Sequence, residues 1–258
     1  MNGLHQPQAL LARLDAIGAS LAARPSGLAL LGLGSVGAER ERLDGFSDLD
    51  FFAVVRPGTK RAYLENLDWM EAVHPVAWAF QNTADGHKLL FADGIFCEYA
   101  VFEPAEVADA HHPGGRLVWH HPDFDPSLCE PRHRPKPQAP STMEWLVGEA
   151  LTNLYVGLCR YRRGEKWTAM QFVQNYAVGR VADVLVQEAG GAEAGRDPYG
   201  VDRRFEARHP GAPALFSRFM QGYDRTPESA REILGFFEAR VAVNPVLRRE
   251  ILRLIEGA

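Results

Sequence analysis

The chain carries two hydrophobic rhythms. In its first half, short apolar runs recur between turn-forming residues, which predicts strands. In its second half, apolar positions return every third or fourth residue, which predicts helices. Leu10, Leu11, Leu14, Ile17 and Leu21 share one helical face that ends at Arg24-Pro25. Residues 28–33 and 49–55 read as strands, the second stopped by Pro57-Gly58. Residues 61–70 predict a helix and 76–80 a third strand. Residues 89–92 and 95–102 predict a hairpin around Asp93-Gly94, a dipeptide suited to the positive φ angles of a type I′ turn. Asp93 is therefore assigned to the turn and given no chemical role. Residues 104–110 predict a short helix and 116–119 a last strand.

Prolines at 122, 126, 131, 135, 137 and 140 break the pattern, since proline at that density blocks both helix and central strand. The domain boundary is placed here, giving residues 1–138 and 139–258. Beyond it, Ser141-x-x-Glu144 predicts a capping box, and Val147, Leu151, Leu154 and Leu158 one apolar helical face. Arg160, Arg162, Arg163 and Gly164 suit the end of that helix. Thr168-x-x-Gln171 predicts the start of a second, stopped near Gly190-Gly191. Thr226-Pro227 and Asn244-Pro245 predict two more, each with a cap residue followed by proline. The fold class is α+β: an N-terminal mixed-sheet domain followed by a C-terminal helical bundle.

The chemistry concentrates where the first two strands begin and end. Gly34-Ser35 follows the first apolar run, and Asp48-Leu49-Asp50 opens the second. Side chains alternate along a strand, so Asp48 and Asp50 point one way while Leu49 and Phe51 point the other. Two carboxylates on one face repel, and a divalent cation relieves that cost; Mg²⁺, with its preference for hard oxygen ligands, is the natural choice. Gly34 permits close backbone approach to phosphates and Ser35 offers a hydroxyl, although the pair also suits an ordinary strand-to-helix turn with Ser35 as cap. Gly32-x-Gly34-x-x-Gly37 imitates a dinucleotide fingerprint. That motif needs a full helix after the glycines and an acid after the next strand, and neither is here. Glu98 lies in the mostly apolar strand 95–102, where a charge needs a partner. If that strand neighbours 49–55, Glu98 completes a three-carboxylate face; the alternative is an edge-strand glutamate facing water.

Arg160, Arg163 and Lys166 form a basic corner between two helices, suited either to a nucleotide's triphosphate across a domain cleft or to the helix dipole. Trp145, Tyr155, Trp167 and Tyr176 suit an acceptor pocket or, at helical spacing, a core. His111-His112-Pro113 and His120-His121-Pro122 lack the partners of a zinc site.

Gly-Ser, a dozen residues, then Asp-x-Asp at a strand resembles the nucleotidyltransferases of the DNA polymerase beta superfamily. The helical half adds a narrower likeness. Residues 153–165, which hold Arg160, Arg163 and Glu165, together with Phe172-Val-Gln174, Arg203-Arg204-Phe205-Glu206 and Gly222-Tyr223-Asp224, resemble the antibiotic nucleotidyltransferases, the lincosamide group among them. The resemblance implies an N-terminal nucleotidyltransferase domain and a helical domain that clamps substrate and nucleotide, with the active site between them. It implies Mg²⁺-dependent transfer of a nucleoside monophosphate, AMP from ATP, to a hydroxyl of a small molecule such as a lincosamide or aminoglycoside. Asp48 and Asp50 would be metal ligands, and Glu98 a metal ligand or general base. Gly34, Ser35, Arg160, Arg163 and Lys166 would bind nucleotide.

Composition trims the alternatives. A net charge of −5 and a pI near 6.0 do not provide the basic face of a nucleic-acid binder, so a templated polymerase is disfavoured. Cys97, Cys129 and Cys159 make an odd count without CxxC spacing, as in reduced cytoplasmic thiols. There is no signal-peptide core and no long apolar run, so neither export nor a membrane partner is expected. A homodimer is compatible with the sequence. Two other functions remain open: a protein-modifying nucleotidyltransferase of toxin–antitoxin type, and a catalytically silent nucleotide-binding module.

Overall fold

The computed structural model describes residues 4–112, 114–132, 141–190 and 200–257. The chain divides into two compact units, Met1–Pro135 and Lys136–Ala258, each with its own hydrophobic core. Pro135, Pro137 and Pro140 of the proline-rich stretch lie outside the described residues, as does Gly191. The architecture is α+β, a mixed sheet in the first unit and helices in the second.

The sheet has six strands: β1 (Gly27–Gly32), β2 (Leu49–Val55), β3 (Val76–Gln81), β4 (Gly86–Phe91), β5 (Phe96–Phe102) and β6 (Arg116–His120). Their order is β3-β4-β5-β2-β1-β6. Every neighbouring pair is antiparallel except β2 and β5, which run parallel in the middle. A parallel pair needs a long crossover, and here it consists of α2 (Lys60–Glu65), α3 (Asp68–Glu71) and the β3–β4 hairpin. Helix α1 (Pro7–Ala22) covers one face: Leu10, Leu14, Ile17 and Leu21 are fully buried with Leu30, Leu49, Phe51 and Ala53. The opposite face is covered towards β1, β2 and β6, where Leu31, Val54, Val107, Phe124 and Cys129 form a smaller cluster under α4 (Pro104–Asp109). All three cysteines are free thiols, and burial pushes the Cys97 thiol far up, so that residue is packing.

Two local expectations in this unit are corrected. The helix predicted over 61–70 is two pieces, α2 (Lys60–Glu65) and α3 (Asp68–Glu71). Asn66 turns extended at φ −126° and its side-chain oxygen accepts from the Asp68 amide at 3.0 Å, a local bond that competes with helix continuation. The β4–β5 turn is not type I′. Gly94 has φ +89°, but Asp93 does not enter the positive-φ region. The Gly94 amide donates to the Phe91 carbonyl at 2.9 Å and the Phe91 amide to the Ile95 carbonyl at 2.9 Å. This makes a three-residue loop with glycine in the left-handed position. Asp93 instead pairs with Arg13 at 2.6 Å, tying α1 to the turn.

In the second unit α5 (Met143–Arg162) is the central helix. Its cap is Thr142, whose hydroxyl accepts from the Trp145 amide at 3.2 Å; the capping box expected from Ser141 and Glu144 does not form, because the cap falls one residue later and puts Trp145, which has no carboxylate, at the third helical position. Gly164, at φ +84°, turns the chain into α6 (Lys166–Met170), which places Thr168 inside that helix, not at its start. α6 runs into a π-helical stretch, Gln171–Ala177, and on into α7 (Val178–Glu188). Gly157 lets this stretch lie against α5: a Cβ there would stand 2.8 Å from Val173 and 2.9 Å from Phe172. Two short helices, α8 (Phe205–Arg208) and α9 (Ala212–Phe219), were not expected from sequence. α10 (Thr226–Glu238) begins with Thr226 as its first residue, not its cap. α11 (Pro245–Glu256) is capped by Asn244 as predicted.

Candidate active site

The carboxylates sit at the centre of the sheet. Asp48 immediately precedes β2 and is exposed; Asp50, the second residue of β2, is half-buried. Both point away from the face on which Leu49 and Phe51 are fully buried. β5 is an interior strand, which removes the edge-strand reading of Glu98, and the parallel register sets Glu98 directly beside Asp50. Glu98 is partnered. Asn82 donates to one oxygen at 3.1 Å, and the Lys88 ammonium lies 3.3 Å from the other. Lys88 is the cross-strand neighbour of Glu98 on β4, so Asp50, Glu98 and Lys88 form one row across three strands. Sequence reasoning missed Lys88 and Asn82.

The Gly34 turn joins this row from the β1 side. The Leu33 amide donates to the Asp50 carbonyl at 2.8 Å, holding the end of β1 against β2. Gly34 has φ +50°, and a Cβ there would stand 3.6 Å from the Asp50 carboxylate, so the missing side chain leaves open the space beside that acid. Residues Gly34–Val36 make a single 3₁₀ turn with Leu33 at its cap position, so Ser35 lies inside the turn and is not its cap. Gly37 has a different reason to be glycine: its Cβ would fall 2.3 Å from the Gly32 carbonyl oxygen. The loop to Asp48 is held locally by Asp44, which accepts from the Phe46 amide at 2.9 Å and takes the Ser47 hydroxyl at 3.3 Å.

Asp48, Asp50 and Glu98 share one face and, for the last two, one register. Among the described residues no three His, Cys, Asp or Glu side chains are gathered closely enough to hold a metal ion. The donor chemistry is of the kind a hard divalent cation takes: Asp48 and Asp50 offer carboxylate oxygens two positions apart at the head of one strand, while the Glu98 carboxylate beside Asp50 is engaged by Lys88. The paired histidines do not gather either. His112 is buried against Phe52, and burial holds its pKa below the usual value; Pro113 lies outside the described residues. A cleft of about 490 Å³ bordered by Gly58, Lys60, Gln81 and Glu103 is not lined by Asp48, Asp50 or Glu98.

In the second unit, the basic corner is already paired. Glu165 takes Arg160 at 3.0 Å and Arg163 at 2.9 Å, and Asp224 takes Lys166 at 2.9 Å. The hydrogen bond from Arg163 leads in holding the Glu165 pKa down, and the Asp224 bond raises that of Lys166. Arg160 also lies over the Phe172 ring at 5.0 Å. The segments around Phe172-Val-Gln174 and Gly222-Tyr223-Asp224 meet. Buried Gln174 accepts from the Gly222 amide at 2.9 Å and donates to the Gly222 carbonyl at 2.8 Å and the Thr226 hydroxyl at 3.1 Å. Trp145, Tyr155, Trp167 and Tyr176 are all exposed, so their helical spacing marks a surface and the core reading is overturned.

No known family model matches the chain, and no curated protein matches it. Among solved structures, the crystal structure of an aminoglycoside 6-adenyltransferase from Bacillus subtilis aligns over 98% of this chain and 98% of that one, at 12% identity and a TM-score of 0.36. A likeness at that level carries no inference about this chain. No helix among the described residues is long and apolar enough to cross a membrane.

Proposed function

We propose that the chain is a nucleotidyltransferase, moving a nucleoside monophosphate, AMP from ATP, to a hydroxyl of a small molecule of the lincosamide or aminoglycoside kind. The supporting observation is the row itself: Glu98 beside Asp50 on parallel central strands, with the open Gly34 turn against Asp50. Clustered acids next to a glycine turn suit phosphate chemistry, where oxygen ligands and backbone approach are both needed. Asp48 and Asp50 would hold Mg²⁺, with Glu98 as a third ligand, and the ion when bound would neutralise triphosphate charge and polarise the α-phosphorus. Gly34 leaves room for the phosphates, and the Ser35 hydroxyl donates to a phosphate oxygen. Glu98 takes the proton of the acceptor hydroxyl at a carboxylate oxygen. The acceptor oxygen bonds to the α-phosphorus, the bond to the β-phosphate's bridging oxygen breaks, and pyrophosphate leaves. Arg160, Arg163 and Lys166 set three cations against the carboxylates of Glu165 and Asp224, a surplus suited to a triphosphate.

The test is incubation with Mg²⁺-ATP and a panel of lincosamides and aminoglycosides, followed by pyrophosphate release and product mass. The expected product is heavier by one nucleotidyl group, and RNA or DNA primers are not extended. Primer extension refutes the small-molecule acceptor. Nucleotide binding without turnover on small molecules or on protein hydroxyls refutes the enzyme and leaves the silent binding module.

A further inference from the structure

The carboxylate row does not stop at Lys88. Phe80 on β3 pairs with Lys88, and one step along, Trp78 pairs with Leu90, which pairs with Phe96. Residues paired across strands point to the same side of a sheet, so these side chains share the face that carries Glu98 and Asp50. Trp78 and Phe80, two apart on one strand, stack on each other with ring centroids 6.2 Å apart and planes inclined at 28°. They are 49% and 55% exposed, a large apolar area left in water. Each strand step is about 4.8 Å, so the ring pair stands two steps, about 10 Å, from Glu98. The order along the sheet is the Gly34 turn, Asp50, Glu98, Lys88, Phe80. Phosphates received at Gly34 therefore lie on one side of Glu98, and the aromatics lie on the other.

We propose that Trp78 and Phe80 form the acceptor subsite: a platform on which a second ring of the acceptor stacks while its first ring presents a hydroxyl to Glu98. The role given to Glu98 rests on the nucleotidyl-transfer reading. The occupant is a hydroxyl-bearing molecule of at least two linked rings, because one ring does not span about 10 Å between strands two apart. In-line displacement asks for acceptor and pyrophosphate on opposite sides of the α-phosphorus, which is why the platform is assigned to the acceptor and not to the nucleobase.

The experiment compares wild type, Trp78→Ala, Phe80→Ala and Trp78→Phe. Kinetics with Mg²⁺-ATP use two-ring lincosamides and aminoglycosides and their single-ring fragments, and calorimetry measures the same compounds without ATP. Each alanine variant is expected to raise KM for two-ring acceptors about tenfold, the size of one lost aromatic stacking contact. KM for ATP and for the fragments stays put, and Trp78→Phe recovers most of the loss. If wild type binds two-ring compounds through these residues yet transfers nothing, the subsite stands and the transfer reading falls. Turnover with unchanged KM in both alanine variants overturns the subsite and leaves the transfer reading intact. A raised KM for ATP gives the platform to the nucleobase, and loss of a dimer in sedimentation gives it to a second copy of the chain; either overturns the proposal. So does a wild type that binds no compound of the panel.

Discussion

Gly34→Ala tests the site without touching a single polar group. The backbone there is left-handed, and an L-residue at that φ costs about 1–2 kcal/mol. The added Cβ meets nothing closer than the Asp50 carboxylate oxygen at 3.6 Å, an ordinary contact, so sterics add little to that cost. Each kcal/mol lowers Tm by about 2–4 °C in a chain of this size, so the variant should remain folded and melt a few degrees lower. Its methyl occupies the space beside Asp50, where phosphate is proposed to approach. Calorimetric affinity for Mg²⁺-ATP should therefore fall by roughly tenfold or more, well beyond what partial unfolding removes at 25 °C. Gly37→Ala is the contrasting variant. Its Cβ would sit 2.3 Å from the Gly32 oxygen and 2.7 Å from the Leu33 Cα, both backbone, so it should unfold the turn and lower Tm far more. Unchanged nucleotide affinity in Gly34→Ala would refute the phosphate cradle. A Gly37→Ala protein that melts like wild type would refute the geometry of the turn itself.

Asp48→Asn and Asp50→Asn should each abolish Mg²⁺-dependent pyrophosphate release while the chain stays folded, read by thermal melting; near-normal turnover would remove the metal assignment. Glu98→Gln should keep Mg²⁺-ATP affinity within a few-fold while kcat drops by roughly 10², as for loss of a general base; a normal rate would make Glu98 a bystander. Burial holds the His87 pKa below 6.5, so the unfolded chain takes up a proton before the folded one does. That contribution to stability is whole above pH 6.5 and is lost as pH falls below it. Tm should therefore decline on acidification and decline less steeply in His87→Phe, with His112 keeping part of the effect; parallel profiles would count against a buried neutral His87. Gln174→Leu should cost about 3 kcal/mol, since it strands the Gly222 amide and carbonyl and the Thr226 hydroxyl; denaturant titration reads it, and a loss under about 1 kcal/mol would mean water replaces the amide.

The strands were legible because each is a short apolar run with sharp stops, and β2 was predicted at its observed bounds. The carboxylates were legible for the same reason: an acid pair at the head of an apolar run is conspicuous. What held Glu98 was not legible, and the cause is a single residue of loop. A two-residue type I′ turn at Asp93-Gly94 would set Glu98 opposite Leu89. The three-residue loop that forms sets it opposite Lys88. Register propagates one wrong turn type into the wrong partner at the site. The break of α2 from α3 hung on one asparagine side chain choosing its local bond. In the helical half, periodicity located a face at Tyr155 and Tyr176 but not which way it looked. Spacing alone does not separate a buried aromatic stripe from an exposed one.

The parallel pairing of β2 with β5 also sets when the site comes into being. Asp50 and Glu98 stand roughly fifty residues apart in the chain, and nothing local brings them together. Their meeting waits on closure of a loop that contains a complete hairpin, and the entropy of that closure is spent before any β2–β5 bond repays it. A nascent or locally opened chain can thus hold β1 with β2, and β4 with β5, as ordinary hairpins while having no row of acids at all. Competence is a late event in folding and an early casualty of unfolding. In native-state hydrogen exchange, the amides of β2 and β5 that bond across the parallel ladder should lose protection in a single step, and nucleotide affinity should vanish in that same step, while the amides bonded within both hairpins stay protected.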